Sequence, residues 1–410
     1  MPMKWRSPPR AIKALLVALL FGVTLIAARL VLMPRSATYF SSGGPRPLQS
    51  DEIGQWQAVR HLYSEMEATG DVFRTWSQSS QDMWKYAIAF TAYGMPSLAM
   101  RQPDQAEVAG YFLAVMIHKM ESKKVWDDWQ RYGFGSDPVC KDNIMYKGHL
   151  NLMYGLHVML TGSERYARQF AWLSHKMAEE MRVQPGRQYA GLVCEPDRYF
   201  AQCNAIGLLG LSLHDRLYGT RYMVETGEEV LRFIKTKMTD ETTGLYRESY
   251  HPSHNTALPY LSGYANAWTL AILRHLDPKA QDQLYPRWKQ TFVHQLGPFA
   301  YVSETPKGGI SRVASLFGLL AAKEFGDEAL FGKLRNTIDL LGGLVPGLES
   351  GDLHYALADD TLLMGMSLSF KLHVGWDQIL AHPWQGFAHR RTPPQISRLG
   401  EPNIEGLRAL

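Results

Sequence analysis

The chain has 410 residues, of which 46% are hydrophobic and 20% are charged. This composition can bury a large core, which excludes a disordered or fibrous protein. The 43 basic and 39 acidic residues give a net charge of +4, and six of the basic residues lie within residues 1–40, which contain no acid. The rest, with 37 basic against 39 acidic residues, is slightly acidic. We therefore expect no nucleic-acid partner.

Four basic residues near the N-terminus precede an uncharged run, ALLVALLFGVTLIAA, at residues 14–28. Counted over residues 11–33, the apolar stretch is long enough to span a bilayer core of about 30 Å. We expect residues 1–33 to form an uncleaved membrane anchor, with a cleaved signal peptide as the alternative. The basic flank keeps the N-terminal side in the cytoplasm and directs the body outward. Residues 34–50, rich in Pro and Gly, have the composition of a linker.

From residue 51 the chain is a series of amphipathic stretches broken by Gly, Pro or Asn/Asp clusters. The pattern predicts twelve helices, over residues 51–68, 80–101, 104–121, 143–161, 164–183, 196–217, 222–238, 263–275, 279–295, 309–325, 328–341 and 353–373. Apolar helices alternate with more charged ones, as the inner and outer helices of a closed toroid do.

The predicted fold class is therefore all-α, with an (α/α)6 barrel over residues 51–390 and a C-terminal tail over residues 391–410. An open α-solenoid is the alternative, but no fixed-period repeat supports it. Residues 245–262, rich in Tyr, His and Pro, predict an irregular loop or short hairpin over one mouth of the barrel.

The segment YAGLVCEPDRYFAQCN, residues 189–204, contains two of the three cysteines. Pro196 suits a first helical turn, and the flanking acids suit the positive end of a helix dipole. This places Cys194 just before a helix and Cys203 about two turns inside it. Because the helix begins between them, both can face one cavity. The alternatives are that both are small buried hydrophobic residues, or that they form a structural disulfide in an oxidising compartment.

Two helical stripes contain further candidates. In NIMYKGHLNLMYGL, residues 143–156, Met145 and His149 share a helical face. In KYAIAFTAYG, residues 85–94, the side chains of Tyr86, Phe90 and Tyr93 share a helical face. Core packing is the simplest interpretation of both stripes, although the aromatic and sulfur side chains also suit an apolar pocket.

A zinc site could take three ligands from His149, Cys194 and Cys203. No two of them have the local spacing of chelating pairs, so we expect no metal. The sequence contains no glycine-rich phosphate loop, dinucleotide fingerprint or GxSxG elbow, so we expect no cofactor.

These segments resemble the linalool dehydratase-isomerase family. The resemblance is carried by KYAIAFTAYG (85–94), VWDDW and GFGSDP (125–138), NIMYKGHLNLMYGL (143–156), GLVCEPDRYFAQCN (191–204), SYHP (249–252), SGYANAWTLA (262–271) and YPRWKQTFV (285–293). It implies an (α/α)6 barrel without organic cofactor, assembled as a ring-shaped homopentamer in the periplasm. The implied reactions are dehydration of linalool to myrcene and interconversion of linalool with geraniol. With the predicted anchor, the barrel would be held at the bacterial inner membrane, or would be free in the periplasm after cleavage.

By similarity, the two cysteines and the histidine correspond to active-site residues of that family, and several neighbours correspond to its pocket. The implied catalytic residues are Cys194, Cys203, His149 and Tyr86. The implied contacts to a small hydrophobic alcohol are Met145, Phe200, Tyr264 and Glu195.

One feature of the family does not match. Its members carry an Asp and a Tyr, six residues apart near the N-terminus, that reach the site of the neighbouring subunit. Residues 61–71 here lack this pair. Tyr63 lies near the position of the Asp, and Glu65, Glu67 and Asp71 are possible substitutes. The family's separate disulfide has no counterpart either.

Loss of water from a tertiary allylic alcohol needs a general acid at the oxygen and a base at the adjacent carbon. We expect Cys194 and His149 at the hydroxyl end and Cys203 near the carbon that loses a proton. Aromatic rings and the Met145 sulfur would stabilise the allylic cation. A covalent route through a thiolate adduct uses the same residues.

Two other functions stay open at this stage. A carbohydrate-active enzyme would need opposed carboxylates, such as Glu195 with Asp352 or Asp359. A non-catalytic isoprenoid-binding protein would bind the alcohol without converting it.

Overall fold

The computed structural model describes residues 10–32, 36–40, 43–69, 83–139, 143–342, 344–346, 353–355, 361–388 and 392–394. The α-helices in these ranges are α1 Arg10–Leu32, α2 Ser50–Thr69, α3 Trp84–Arg101, α4 Ala106–Met120, α5 Lys123–Trp129, α6 Ile144–Thr161, α7 Ala167–Met181, α8 Ala201–Tyr218, α9 Glu228–Lys237, α10 Gly263–Leu276, α11 Pro278–Phe292, α12 Arg312–Glu324, α13 Glu328–Leu341, α14 Thr361–Leu372 and α15 Trp376–Ala381. The strands are β1 Tyr250–His251, β2 Thr256–Ala257, β3 Val293–Leu296, β4 Phe299–Thr305, β5 Gly308–Ile310, β6 Leu344–Pro346 and β7 Leu353–Tyr355.

Six helices form a closed ring. In the order α3, α6, α8, α10, α12 and α14, each helix packs against the next, and α14 packs against α3. The helices α2, α4, α7, α9, α11 and α13 alternate with them along the chain. Of these, α2, α4, α7, α11 and α13 pack against ring helices, and α9 contacts the helical turn Met223–Gly227, which packs against α8. Contact between the first and last ring helices makes this a closed toroid of helix pairs rather than an open solenoid.

Burial separates the two sets of helices. In α6 every residue from Ile144 to Leu160 is buried, whereas in α9 only Val230, Phe233 and Ile234 are buried. A helix covered on all sides is apolar around its circumference, and a helix covered on one side shows a single apolar stripe. The alternation seen in the sequence therefore reflects inner and outer positions in the toroid.

Short polar side chains fix where several inner helices begin. Asn143, Ser262 and Ser311 each accept a hydrogen bond from the backbone N–H three residues later, at the N-termini of α6, α10 and α12. Such caps satisfy backbone groups that have no partner within the helix. Since an outer helix returns the chain between successive inner helices, the N-terminal ends of the inner helices lie at one mouth of the toroid.

The helix predicted over residues 196–217 begins later, at Ala201. The Arg198 N–H donates to the Glu195 carbonyl at 2.9 Å, and Tyr199 exchanges two backbone hydrogen bonds with Tyr250. These groups are therefore not available to a helix, and Cys203 lies in the first helical turn rather than two turns inside. The helix predicted over residues 353–373 also begins later than predicted, at Thr361, and residues 353–355 instead pair as β7 with β6.

Residues 245–262 were predicted to form an irregular loop or a short hairpin, and they contain a short hairpin, in which β1 pairs with β2 in antiparallel register. The small sheets β3–β4–β5 and β6–β7, and the short helices α5 and α15, were not predicted. The helices of the toroid nevertheless make up most of the described chain.

The segment predicted as a membrane anchor coincides with α1, where the apolar side chains of Leu15, Leu20 and Phe21 are exposed. Within the described ranges, none of the helices has the combined length and apolarity needed to cross a membrane. The anchor is therefore not confirmed and stays a prediction from the sequence.

A buried ionic cluster connects the N-terminal part of the chain to the toroid. The Lys371 Nζ lies 2.8 Å from Asp51 Oδ2 and 2.8 Å from Asp339 Oδ1, and all three side chains are fully buried. The Tyr39 hydroxyl donates to Asp51 Oδ1 at 2.7 Å. Burial is the largest single effect on the Asp51 carboxyl and raises its pKa, but the charge of Lys371 and the hydrogen bonds from Lys371 and Tyr39 together outweigh it, so the pKa of Asp51 is lowered.

Replacing Lys371 by Met should lower the free energy of unfolding by about 3–5 kcal/mol, because it leaves two buried carboxylates without its ammonium. Urea denaturation followed by circular dichroism measures the change. The matched control is Lys235→Met, since Lys235 pairs with Asp277 at 2.7 Å but is 47% exposed. Loss of that pair should cost less than about 1 kcal/mol. Equal effects of the two substitutions would contradict a structural role of the buried cluster.

Candidate functional site

A cavity of about 400 Å³ opens at the mouth formed by the N-terminal ends of the inner helices. Six of the eight residues proposed from the sequence line it, namely Tyr86, Cys194, Glu195, Phe200, Cys203 and Tyr264. Most of the other lining residues are apolar, namely Met83, Phe90, Trp129, Trp268, Val313, Phe317, Leu362 and Met366. Its size is within the range of about 300–1,000 Å³ typical of small-molecule sites.

The loop that carries Cys194 is attached to α8 through the buried side chain of Asn204. Its Oδ1 accepts from the Leu192 N–H at 2.9 Å, and its Nδ2 donates to the carbonyls of Leu192 and Phe200 at 2.9 and 3.0 Å. The Cys194 N–H donates to the Arg198 carbonyl at 2.8 Å. Because Asn204 directly follows Cys203, these bonds fix the position of one cysteine relative to the other.

Cys194 and Cys203 form a disulfide in this structure. Both are buried, with 1% and 3% of their surface exposed. The expectation of two free thiols is therefore wrong for this state, and the alternative of a disulfide applies. A disulfide sulfur carries no proton, so neither cysteine can act as an acid or a base until the bond is reduced.

His149 and Met145 lie on α6 and do not line the cavity. The His149 ring packs behind the wall, edge-on to Tyr86 and Phe90 with ring centroids 5.5 Å apart, and 5.7 Å from the Trp268 ring. Burial, with a smaller contribution from the charge of Lys85, lowers the pKa of His149 to about 3. The imidazole is therefore neutral at physiological pH.

Aromatic rings form much of the wall. Tyr86 stacks on Phe90 at 5.8 Å, and Trp268 stacks on Phe317 at 4.9 Å. The faces of such rings attract positive charge. Within the same part of the structure, the Lys85 Nζ lies 3.1 Å from the centre of the Trp129 ring. The wall can therefore stabilise a cation without a formal negative charge.

Three carboxyl groups surround the Tyr264 side of the cavity. Glu195 and Glu304 line it, and Glu304 accepts a hydrogen bond from Ser262 Oγ at 2.8 Å. Burial, followed by the nearby charge of Glu304, raises the pKa of Glu248. Burial and these carboxylates also raise the pKa of Tyr264. The site thus contains acidic groups besides the two cysteines.

Several of these residues were not predicted from the sequence. Trp268 is four residues after Tyr264 on α10, so helical spacing alone would have placed both on one face. Glu304 lies on β4, a strand that the sequence did not predict. No local pattern indicated that its side chain reaches the cavity.

Tyr63, which lies near the position of the family's trans-acting Asp, is buried with 1% of its surface exposed. The three possible substitutes are not placed by the structure. The side chains of Glu65 and Glu67, and all of Asp71, lie outside the described residues. Asp352 and Asp359, considered as partners of Glu195, also lie outside them.

Zinc binding by His149, Cys194 and Cys203 does not fit this arrangement, because the two sulfurs are bonded to each other. Across the described residues, no group of three or more His, Cys, Asp or Glu side chains is arranged to hold a metal ion.

The sequence matches the family described as linalool dehydratase/isomerase over residues 85–361. Among solved structures, the GH76 α-mannanase of Bacteroides thetaiotaomicron is similar over 79% of this chain and 96% of its own, at 8% identity and a TM-score of 0.52. The unsaturated glucuronyl hydrolase of Bacillus sp. GL1 is similar over 77% of this chain and 95% of its own, at 12% identity and a TM-score of 0.50. Both come from (α/α)6 glycoside hydrolase families. At these identities the similarity shows the shared fold alone.

Alkylation tests the pairing of the cysteines. Iodoacetamide added to the denatured, unreduced chain should label one of the three cysteines, Cys140, and should label all three after reduction. Peptide mass spectrometry identifies the labelled residues. Labelling of Cys194 or Cys203 without reductant would contradict the disulfide.

Proposed function

Because this chain belongs to the linalool dehydratase/isomerase family, we propose that it removes water from allylic terpene alcohols, and isomerises them, in the cavity at the mouth of the toroid. The observation that carries the proposal is the position of Cys194 and Cys203 together on one wall of a cavity otherwise formed largely by aromatic and aliphatic side chains. An apolar cavity suits a terpenol, and it limits capture of an allylic cation by bulk water.

Dehydration breaks a C–O bond, whose electron pair leaves with the oxygen, and a neighbouring C–H bond, whose electron pair forms the new double bond. The oxygen therefore takes a proton from an acid, and the carbon gives one to a base. We assign Cys194 and His149 to the hydroxyl end and Cys203 to the carbon that loses its proton. The Cys194 thiol gives its proton to the departing oxygen and becomes a thiolate. Because the two sulfurs are close enough to bond, Cys203 can pass its own proton to this thiolate as it takes the proton from carbon, so both thiols are restored.

The remaining residues bind the substrate and stabilise its charge. Tyr86, Phe200 and Tyr264 present rings to the cavity, and Glu195 lies on the same wall. Met145 is fully buried on α6, one helical turn before His149. Isomerisation is the same ionisation followed by return of the water to the other end of the allyl group, which requires the water to stay in the cavity.

The reduced protein is the active form in this proposal. A dithiol reductant supplies two electrons and two protons, and converts the disulfide into two thiols. Buried thiols in apolar surroundings keep their protons, which suits an acid that acts on a hydroxyl group. The disulfide form retains the cavity but has no proton on either sulfur.

We also propose the cellular setting that the family and the N-terminal sequence suggest. The basic flank and apolar run within residues 1–33 support an inner-membrane anchor with the barrel in the periplasm. Membership of the family supports a homopentamer. Fractionation of bacteria that express the full chain, and the mass of the purified assembly, test these two points.

Linalool and geraniol, incubated with the dithiothreitol-treated protein, should yield myrcene and interconvert, as measured by gas chromatography. Air-oxidised protein and Cys203→Ala should both lose at least about 100-fold in turnover, a typical contribution of general acid–base catalysis. Cys140→Ala serves as the control, because it removes the one cysteine that is not part of the Cys194–Cys203 pair. Failure of the reduced wild type to form any product would contradict the proposal, and binding of terpenol without conversion would favour a carrier.

A carbohydrate-active enzyme is the second candidate, because two carboxylates, Glu195 and Glu304, reach the cavity. Paired variants separate the two functions. For the dehydratase, Cys194→Ala should lower linalool turnover at least about 100-fold, while Glu304→Gln keeps it within about tenfold. Release of nitrophenol from aryl glycosides that survives Cys194→Ala and disappears in Glu304→Gln would instead establish the glycosidase.

A further inference from the structure

The His149 imidazole has a single hydrogen-bond partner among the described residues, the hydroxyl of Tyr93. The Tyr93 Oη and His149 Nδ1 atoms are 2.5 Å apart, and the two rings are nearly parallel, with an interplanar angle of 18°. Both side chains are buried, with 4% and 1% of their surface exposed. Tyr93 lies on α3 and His149 on α6, so the bond connects two neighbouring helices of the inner ring.

The direction of this hydrogen bond follows from the available protons. Burial raises the pKa of Tyr93 well above its usual value, so its oxygen keeps its hydrogen. In the described structure Nδ1 is the only partner that this hydroxyl has, and a buried hydroxyl without an acceptor is costly. Tyr93 therefore donates to Nδ1. A neutral imidazole has one N–H, which must then be on Nε2.

Nε2 is buried and has no hydrogen-bond partner among the described residues. A buried N–H without an acceptor is costly, and such a group in a native protein calls for an explanation, of which a catalytic role is one. The ring that carries it packs against Tyr86, Phe90 and Trp268, which all line the cavity. Tyr86 is only partly buried, whereas Phe90 and Trp268 are buried, so Tyr86 is the ring best able to move aside.

We propose that Tyr93 is a positioning residue, which holds His149 as an Nε2–H donor toward the oxygen of an alcohol bound in the cavity. This inference deepens the proposed function and rests on it for the identity of the ligand. His149 then acts as a neutral hydrogen-bond donor that stabilises the departing oxygen. It transfers no proton, so the proton that leaves with the oxygen comes from another acid of the site.

The tautomer of His149 is measured by solid-state ¹⁵N NMR of the full chain labelled at histidine, with His149→Gln identifying the signal. We expect a protonated Nε2 and an unprotonated Nδ1 in the wild type. Tetrahydrolinalool, a saturated alcohol that cannot form an allylic cation, should shift the Nε2 signal of the reduced protein. Protonation of Nδ1 in the wild type, or no shift of Nε2 with this alcohol, would overturn the inference.

Tyr93→Phe removes the hydroxyl and keeps the ring. We expect a mixture of His149 tautomers, and a fall in kcat of about tenfold or more with KM changed by less than about threefold. The matched control is Tyr146→Phe. Tyr146 is buried like Tyr93, but it lies on α6 and its hydroxyl donates to the Met120 carbonyl at 2.5 Å. It should keep the wild-type tautomer and a kcat within about twofold of the wild type.

The possible failures are distinguishable. If the reduced wild type converts no alcohol, the proposed function and the ligand assigned to Nε2 both fall, whatever the tautomer. If the wild type is active but Tyr93→Phe keeps a single Nε2–H tautomer and full kcat, only the role of Tyr93 falls.

Discussion

The attachment of the cysteine loop to the start of α8 is the constraint on which the site depends. The Asn204 amide binds the loop backbone at Leu192, and Tyr199 and Tyr250 join the same loop to the β1–β2 hairpin. These bonds end the loop at Phe200, so that α8 begins with Cys203 in its first turn. Without these bonds, nothing in the local sequence would hold the Cys194 sulfur next to the Cys203 sulfur at the cavity.

The toroid also determines the electrostatic potential at the mouth of the cavity. Inner helices that all begin at one end direct their N-terminal N–H groups and positive dipole ends toward the cavity. This field favours carboxylates, and Glu304 contacts Ser262, the residue that caps α10. It also favours the negative charge that develops on a departing oxygen. The aromatic rings supply the complementary stabilisation of a cation, so charge separation can occur in an apolar cavity.

Part of this arrangement can be predicted from the sequence because it depends on local periodicity. The alternation of apolar and amphipathic stretches indicates inner and outer helices, since each position in the toroid requires its own pattern of burial. Helical periodicity also places Tyr86 and Phe90 on one face of α3, and both residues line the cavity.

The remaining features depend on contacts between distant parts of the chain. The late start of α8 results from pairing of Tyr199 with Tyr250, and the Asp51–Lys371 ion pair joins residues 320 positions apart. The bond between Cys194 and Cys203 depends on oxidation state as well as on position, and the sequence does not specify oxidation state. The hydrogen bond from Tyr93 to His149 joins two stripes that sequence patterns treat separately.

A crystal structure of the reduced protein with tetrahydrolinalool bound is the most direct measurement of the central claim. The alcohol should occupy the cavity at the N-terminal mouth, with its oxygen within hydrogen-bond distance of His149 Nε2 and of one cysteine sulfur. An alcohol bound elsewhere, or bound in the cavity with its oxygen directed away from both cysteines, would contradict the claim.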